Sequence, residues 1–175
     1  NKSFVVKPSH LSEKKLCYVI KDGINKINNK KITADIIQKE ISKSIMDKAY
    51  YTESKKLKEC RPGIIVQESL DVNGFINEWK CFCVWGKVIF SIWRKDHKRD
   101  EVILDSNFKL YNIGFYNNKV KLPSFCKDIY NVAEKLSKNI PFIRIDILWN
   151  KTKFVVNELD ICPSGHYGLH NEKLL

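Results

Sequence analysis

The sequence predicts a strand-rich α+β protein with antiparallel sheets and two main helices. Three observations predict it. Apolar stretches of strand length recur along the chain and are closed by Gly, Pro or Asp turn chemistry. Two longer stretches keep their apolar residues at helical spacing. Consecutive strand-like stretches are joined by tight turns, which makes hairpins and therefore antiparallel pairing.

Phe4-Val5-Val6-Lys7-Pro8 reads as a strand stopped by proline, and Leu16-Cys17-Tyr18-Val19-Ile20 as a second, turned at Asp22-Gly23. Thr33 is placed to cap a helix whose stripe is Ile36, Ile37, Ile41, Ile45, Met46, Ala49 and Tyr50. A polar stretch from Thr52 to Arg61 ends at Pro62-Gly63. Ile64-Ile65-Val66 then reads as a buried strand running into Gln67-Glu68-Ser69-Leu70. Residues 76–94 form a long hairpin turning near Trp85-Gly86-Lys87, apolar enough to be covered on both faces. Glu101–Ser106 is a weaker strand. Ser124 is placed to cap a second helix with Phe125, Ile129, Val132, Ala133 and Leu136 on its buried stripe, stopped by Asn139 and Pro141. A last hairpin has arms near 142–148 and 153–161. No internal repeat appears.

The chain has 175 residues, 43% of them hydrophobic and 29% charged, which fits a packed globular chain and excludes disorder. No apolar run approaches the roughly 18–20 residues of a membrane span. Residue 1 is Asn and no secretory signal is visible, so the chain reads as a fragment or a processed product. The net charge of +11 would suit a nucleic-acid partner, but only four of the 31 basic residues are Arg. Base and phosphate recognition usually enlists the planar Arg fork. Lys is abundant together with Asn and Ile, so the Lys excess reads as solvated background. The six cysteines show no CxxC and no secretory context and read as reduced, buried thiols, with Cys81 and Cys83 on one strand face. Trp79, Trp85 and Trp93, with Tyr50 and Tyr51, read as core packing rather than a stacking platform. His166 and His170, four apart, lie between glycines and do not read as a metal site.

The last hairpin carries the chemistry. Alternation puts Arg144 and Asp146 on one face of the first arm, and Glu158 and Asp160 on one face of the second. A three-residue loop at 151–153 would set Asp146 opposite Glu158 and Arg144 opposite Asp160, with Phe142, Leu148, Phe154 and Val156 on the rest of that face. Three carboxylates and one guanidinium then crowd one place. A cross-strand salt-bridge ladder and a divalent-cation site both remain open, since a cation would relieve the like-charge pair. Two weaker features accompany the hairpin. Lys7 leaves a strand into the polar loop Pro8-Ser9-His10, and Gln67-Glu68-Ser69-Leu70 puts polar groups directly after a strand.

In this order, the features resemble the ATP-grasp fold, and more closely its teichuronopeptide-biosynthesis (TupA-like) family. The matching segments are Phe4 to His10, Arg61 to Glu68, Glu78 to Val88, Ala133 to Ser137, Pro141 to Asp146 and Asn157 to Gly165. The resemblance implies residues 1–70 as a first, partial ATP-grasp subdomain and 71–175 as a second carrying the metal-site hairpin, without the N-terminal lobe of the fold. It implies ATP and Mg²⁺ as cofactors. It implies nucleotide contacts at Lys7, Ser9, His10, Gln67, Glu68, Leu70, Glu78 and Lys80, with Glu78 on the ribose hydroxyls. Metal ligands would be Asp146, Glu158 and Asp160, and Arg144 would be the catalytic arginine on the transferred phosphate. The loop His10-Leu11-Ser12-Glu13-Lys14-Lys15 departs from the Gly-rich loop usual at this point.

The expected function is an ATP-dependent carboxylate–amine ligase working through an acyl-phosphate in cell-surface polysaccharide or polypeptide biosynthesis. Its partners would be a nucleotide and a carboxylate-bearing glycan or peptide, with no nucleic acid and no membrane span, in the cytoplasm. A glycosyltransferase-type relative in glycan biosynthesis is the neighbouring reading. The rivals are a non-catalytic basic module for nucleic acid or anionic glycan, and a degenerate ATP-grasp remnant.

Overall fold

A computed structural model describes residues 3–9, 16–44, 63–70, 76–94, 101–111, 121–150, 152–161 and 163. The chain divides into two compact units, residues 1–70 and 71–175.

In the first unit, β1 (Ser3–Pro8), β2 (Tyr18–Lys21), β3 (Ile24–Asn25), β4 (Lys30–Lys31) and β5 (Ile64–Glu68) form one antiparallel sheet in the order β4-β3-β2-β1-β5. The turn between β2 and β3 needs two left-handed residues, Asp22 (φ 53°) and Gly23 (φ 73°), which matches the twist of a tight hairpin. Helix α1 (Ala34–Ser44) begins where expected, with the Thr33 hydroxyl accepting from the Ile36 N–H at 3.4 Å. Its Ile37 and Ile41 close a small core with Val6, Tyr18 and Ile20, and Glu40 accepts the Tyr18 hydroxyl proton.

Three expectations change here. β3 and β4 are two residues each, too short to leave an alternating signature. Ile36 is largely exposed, and Ile45 to Tyr50 lie outside the described residues, as do Tyr51 and Thr52–Arg61. β5 is a strand but not a buried one: Val66 is 64% exposed, and among the described residues β5 is an edge that pairs with β1 alone.

In the second unit, β6 (Asn77–Val84), β7 (Lys87–Arg94), β8 (Glu101–Asp105), β9 (Ile143–Trp149) and β10 (Phe154–Asp160) form an antiparallel sheet ordered β10-β9-β6-β7-β8. Trp85 (φ 47°) and Gly86 (φ 79°) make the β6–β7 turn, and a Cβ on Gly86 would lie 3.3 Å from the Lys138 Cα. Helix α2 (Cys126–Leu136) covers one sheet face with Cys126, Ile129, Tyr130 and Ala133, spaced three and four apart. They pack on Trp79, Cys81, Trp93, Leu104, Ile145 and Ile147. Trp79 and Trp93 stack at 4.8 Å in this core, as expected. The Tyr130 hydroxyl donates to the Asp105 carbonyl at 3.0 Å and meets the Ser91 hydroxyl at 2.8 Å, so the polar group is satisfied inside.

Ser124 is not the cap. Phe125 holds that position without a side-chain hydrogen bond, and the Cys126 N–H goes to the Pro123 carbonyl at 3.2 Å. Leu136 is 42% exposed in the last turn of α2, although its spacing from Ile129 and Ala133 is helical. Trp85 is also outside the core, because the turn it makes projects past the sheet. Cys81, Cys83 and Cys126 are free, buried thiols, and Cys17 is half-buried. Burial pushes the Cys81 and Cys83 thiols up, and that of Cys126 to about 11. Cys60, Cys162, His166 and His170 lie outside the described residues. No described helix is long and apolar enough to cross a membrane.

Candidate functional site

The second sheet has two dissimilar faces. Residues paired across antiparallel strands share a face, so the register reads out the composition of each. The face away from α2 carries Glu158 and Asp160 on β10, opposite Asp146 and Arg144 on β9. Next come Lys80 and Glu78 on β6, opposite Asp146 and Leu148. Arg94 on β7 stands opposite Glu78, and Glu101 on β8 opposite Arg94. Phe82, Phe90, Ile92 and Ile103 form an apolar cluster on the same face.

Two bulges set this arrangement. The loop between β9 and β10 has four residues, Asn150 to Lys153, rather than three. The Asn150 side-chain oxygen holds it by accepting from the Thr152 and Lys153 N–H groups at 3.2 and 3.1 Å. With that loop Val156 stands opposite Ile147, and a bulge between Val156 and Glu158 then brings Glu158 opposite Asp146. Phe154 and Val156 therefore pair with Trp149 and Ile147 on the α2 side, not on the charged face as expected. Phe142 lies before β9 and is 41% exposed. A second bulge, with Ile89 of β7 as the extra residue against the Phe82–Cys83 step of β6, puts Arg94 rather than Trp93 opposite Glu78.

The charged side chains join into one row across all five strands. Arg144 donates to Asp146 at 2.7 and 3.1 Å and lies 3.4 and 3.2 Å from Glu158 and Asp160. Lys80 donates to Asp146 at 3.2 Å and lies 3.9 Å from Glu78. Arg94 donates to Glu78 at 3.1 Å and is also paired with Glu101. Asp146, 1% exposed, is thus buried with two cations. Burial weakens the protonated form of Arg144, but the Asp146 hydrogen bond and three carboxylate charges outweigh it and push its pKa up. Burial, then Asp146 and Asp160, push Glu158 above the usual carboxylate range, against Arg144 and Lys80.

Arg94 and Glu101 belong to this row and sequence reasoning missed them. The β6–β7 turn alone would put Trp93 opposite Glu78, and only the bulge reverses that.

Among the described residues, no group of three or more His, Cys, Asp or Glu converges as a ligand set. The three hairpin carboxylates converge on Arg144 instead. The donor chemistry still fits a hard divalent cation. Among the described residues the row sets five carboxylates beside three cations, and Glu158 is 53% exposed at its open end.

The remaining expected contacts lie in the first unit. Lys7 pairs with Ile65 and Gln67 with Val5, so both stand on the face of the first sheet away from α1. Glu68 stands opposite Phe4, on the α1 side. Ser9 is exposed, and its N–H donates to the Gly63 carbonyl at 2.9 Å. Leu70 is half-buried after Ser69, whose N–H donates to the Ser3 carbonyl at 3.0 Å. His10 lies outside the described residues.

Among the described residues, two antiparallel sheets, each carrying one helix, with an acid-rich row on the second, define an α+β fold. The chain belongs to the TupA-like ATP-grasp family, whose model matches residues 1–173. It is similar to the ATP-grasp ligase PsnB, solved with a minimal precursor, Mg and ADP. There the TM-score is 0.48 and the identity 13%, over 95% of this chain and 40% of that one. It is also similar to D-alanine–D-alanine ligase from Bacillus anthracis, with a TM-score of 0.47 and 16% identity over 92% of this chain and 44% of that one. The chain thus spans about two fifths of the length of these solved ligases. No curated protein matches it.

Proposed function

We propose that the chain is the nucleotide-gripping part of an ATP-dependent carboxylate–amine ligase that works on a carboxylate-bearing glycan or peptide in cell-surface polymer biosynthesis. The observation that carries this reading is the row of ion pairs on β6 to β10. It gathers five carboxylates beside three cations in a chain that is otherwise basic. A surface made for nucleic acid or another polyanion would not gather five carboxylates. Phosphoryl transfer needs positioned charge more than covalent groups, and this row supplies it.

In the reaction, a carboxylate oxygen of the substrate attacks the γ-phosphorus of ATP and ADP leaves. An amine then displaces phosphate from the acyl carbon and loses a proton. Lys7 and Lys80 are suited to hold phosphate oxygens, Glu78 to accept ribose hydroxyls, and Gln67 to Leu70 to lie along the adenine edge. Ser9 and His10 would border the phosphates. Arg144 would face the transferred phosphoryl group with its planar fork held by Asp146. Asp146, Glu158 and Asp160 would hold Mg²⁺, which when bound offsets phosphate charge. A second reading, a non-catalytic remnant in which the row is a structural ladder, is favoured by the full pairing of Asp146 with Arg144 and Lys80.

Thermal stability with and without Mg–ATP tests both. Ligand at 100 times its Kd should stabilise the protein by about 2.7 kcal/mol. Absence of any shift in the full protein sinks the nucleotide reading. An equal shift in a variant carrying Asp146→Asn with Glu158→Gln removes the metal assignment and leaves the ladder.

A further inference from the structure

We propose that the Arg94–Glu101 pair is a positioning device that aims Glu78 at the nucleotide ribose and keeps Lys80 on Asp146. It rests on the nucleotide reading above. Glu78, Arg94 and Glu101 occupy successive cross-strand positions on β6, β7 and β8, so the backbone ladder sets them in line. One oxygen of Glu101 accepts from both Nε and one terminal nitrogen of Arg94. A guanidinium is planar, so gripping two of its nitrogens fixes where the third points. That third nitrogen donates to Glu78 Oε2 at 3.1 Å.

The hold on Glu78 has a consequence for Lys80. Glu78 Oε1 is 3.9 Å from Lys80 Nζ, whereas Asp146 Oδ2 is 3.2 Å from it. Glu78 therefore stands between two cations, and Arg94 has the closer grip. Without Arg94, the only cation left beside Glu78 in the row is Lys80. The carboxylate would swing towards it and draw the ammonium off Asp146. Partly exposed pairs such as these contribute little to stability, so a merely structural role would leave nucleotide selectivity unmoved.

The test is equilibrium binding of Mg–ATP and of Mg–2′-deoxy-ATP to the full protein, with thermal melting as a check on folding. Wild type should prefer ATP by about tenfold, the worth of one hydrogen bond to a charged group, and Arg94→Met should bring that preference to within about twofold of unity. Arg94→Lys keeps the charge but not the fork and should recover part of it. An Arg94→Met protein that keeps the wild-type preference overturns the positioning role. A wild type that binds both nucleotides equally overturns it through Glu78 while the nucleotide reading stands. A wild type that binds neither overturns that reading as well. Should Arg94→Met fail to fold, Glu101→Gln keeps the arginine and weakens the grip on its plane. The same loss of preference is then expected, and an unchanged preference is fatal to the idea.

Discussion

Among the described residues the two sheets have five strands and one helix each, yet they handle charge in different ways. Among the described residues, the core of the first is Val6, Tyr18 and Ile20 against Ile37 and Ile41. Its opposite face carries Lys7 and Gln67 among the apolar Val5, Val19 and Ile65. The second has a thick core built on Trp79, Trp93, Ile129 and Ile145, and its opposite face carries a continuous row of ion pairs. Taking charges out of water is costly, and the cost is met only where many partners are fixed in place. A thick apolar core on one face of a sheet can hold such a row rigidly on the other.

The largest test of this contrast is core truncation. Trp79→Ala should cost about 3–5 kcal/mol, and Ile41→Ala in the first unit about 2–3 kcal/mol, both read from denaturant unfolding. Equal or reversed costs would break the contrast. Next comes Arg144→Met. It leaves Asp146, 1% exposed, with Lys80 as its remaining close cation, and should cost about 3 kcal/mol, the lower end for breaking a buried pair. A cost below about 1 kcal/mol would show the row to be solvated like a surface ladder.

The smallest effect is at Glu158. Its carboxyl sits above the ordinary 4.5, so the folded chain binds more protons than the unfolded one in the window just above that value. Stability contributed by this group is present below that window and falls as pH rises through it. Glu158→Gln should flatten the fall and leave stability at neutral pH within about 0.5 kcal/mol of wild type. Melting temperature followed across that pH window checks this. A steeper fall in the variant would mean that Arg144 dominates its environment.

Much of this was legible in advance, element by element. The α+β class, the Thr33 cap, the turns at Asp22-Gly23 and Trp85-Gly86 and the core role of Trp79 follow from local chemistry. Family membership was legible from the order of the segments. Burial of β5 and Leu136 was not, because exposure depends on what neighbours an element and not on its composition. The pairing of Asp146 with Glu158 was anticipated from a three-residue loop. A four-residue loop and a compensating bulge produce it instead, and the same bulge sends Phe154 and Val156 to the other face.

By itself, then, the sequence determined which residues alternate on a strand, where turns fall and which chemical groups are available near the last hairpin. Those are properties of neighbouring residues and their backbone preferences. The tertiary structure decided which groups meet. A strand's side chains change faces every residue, so one extra residue, Ile89 in β7 or Asn157 in β10, exchanges the charged set for the apolar one. The Arg94–Glu78 contact and the row it completes exist because the sheet places those bulges, and no local pattern in the chain encodes that choice.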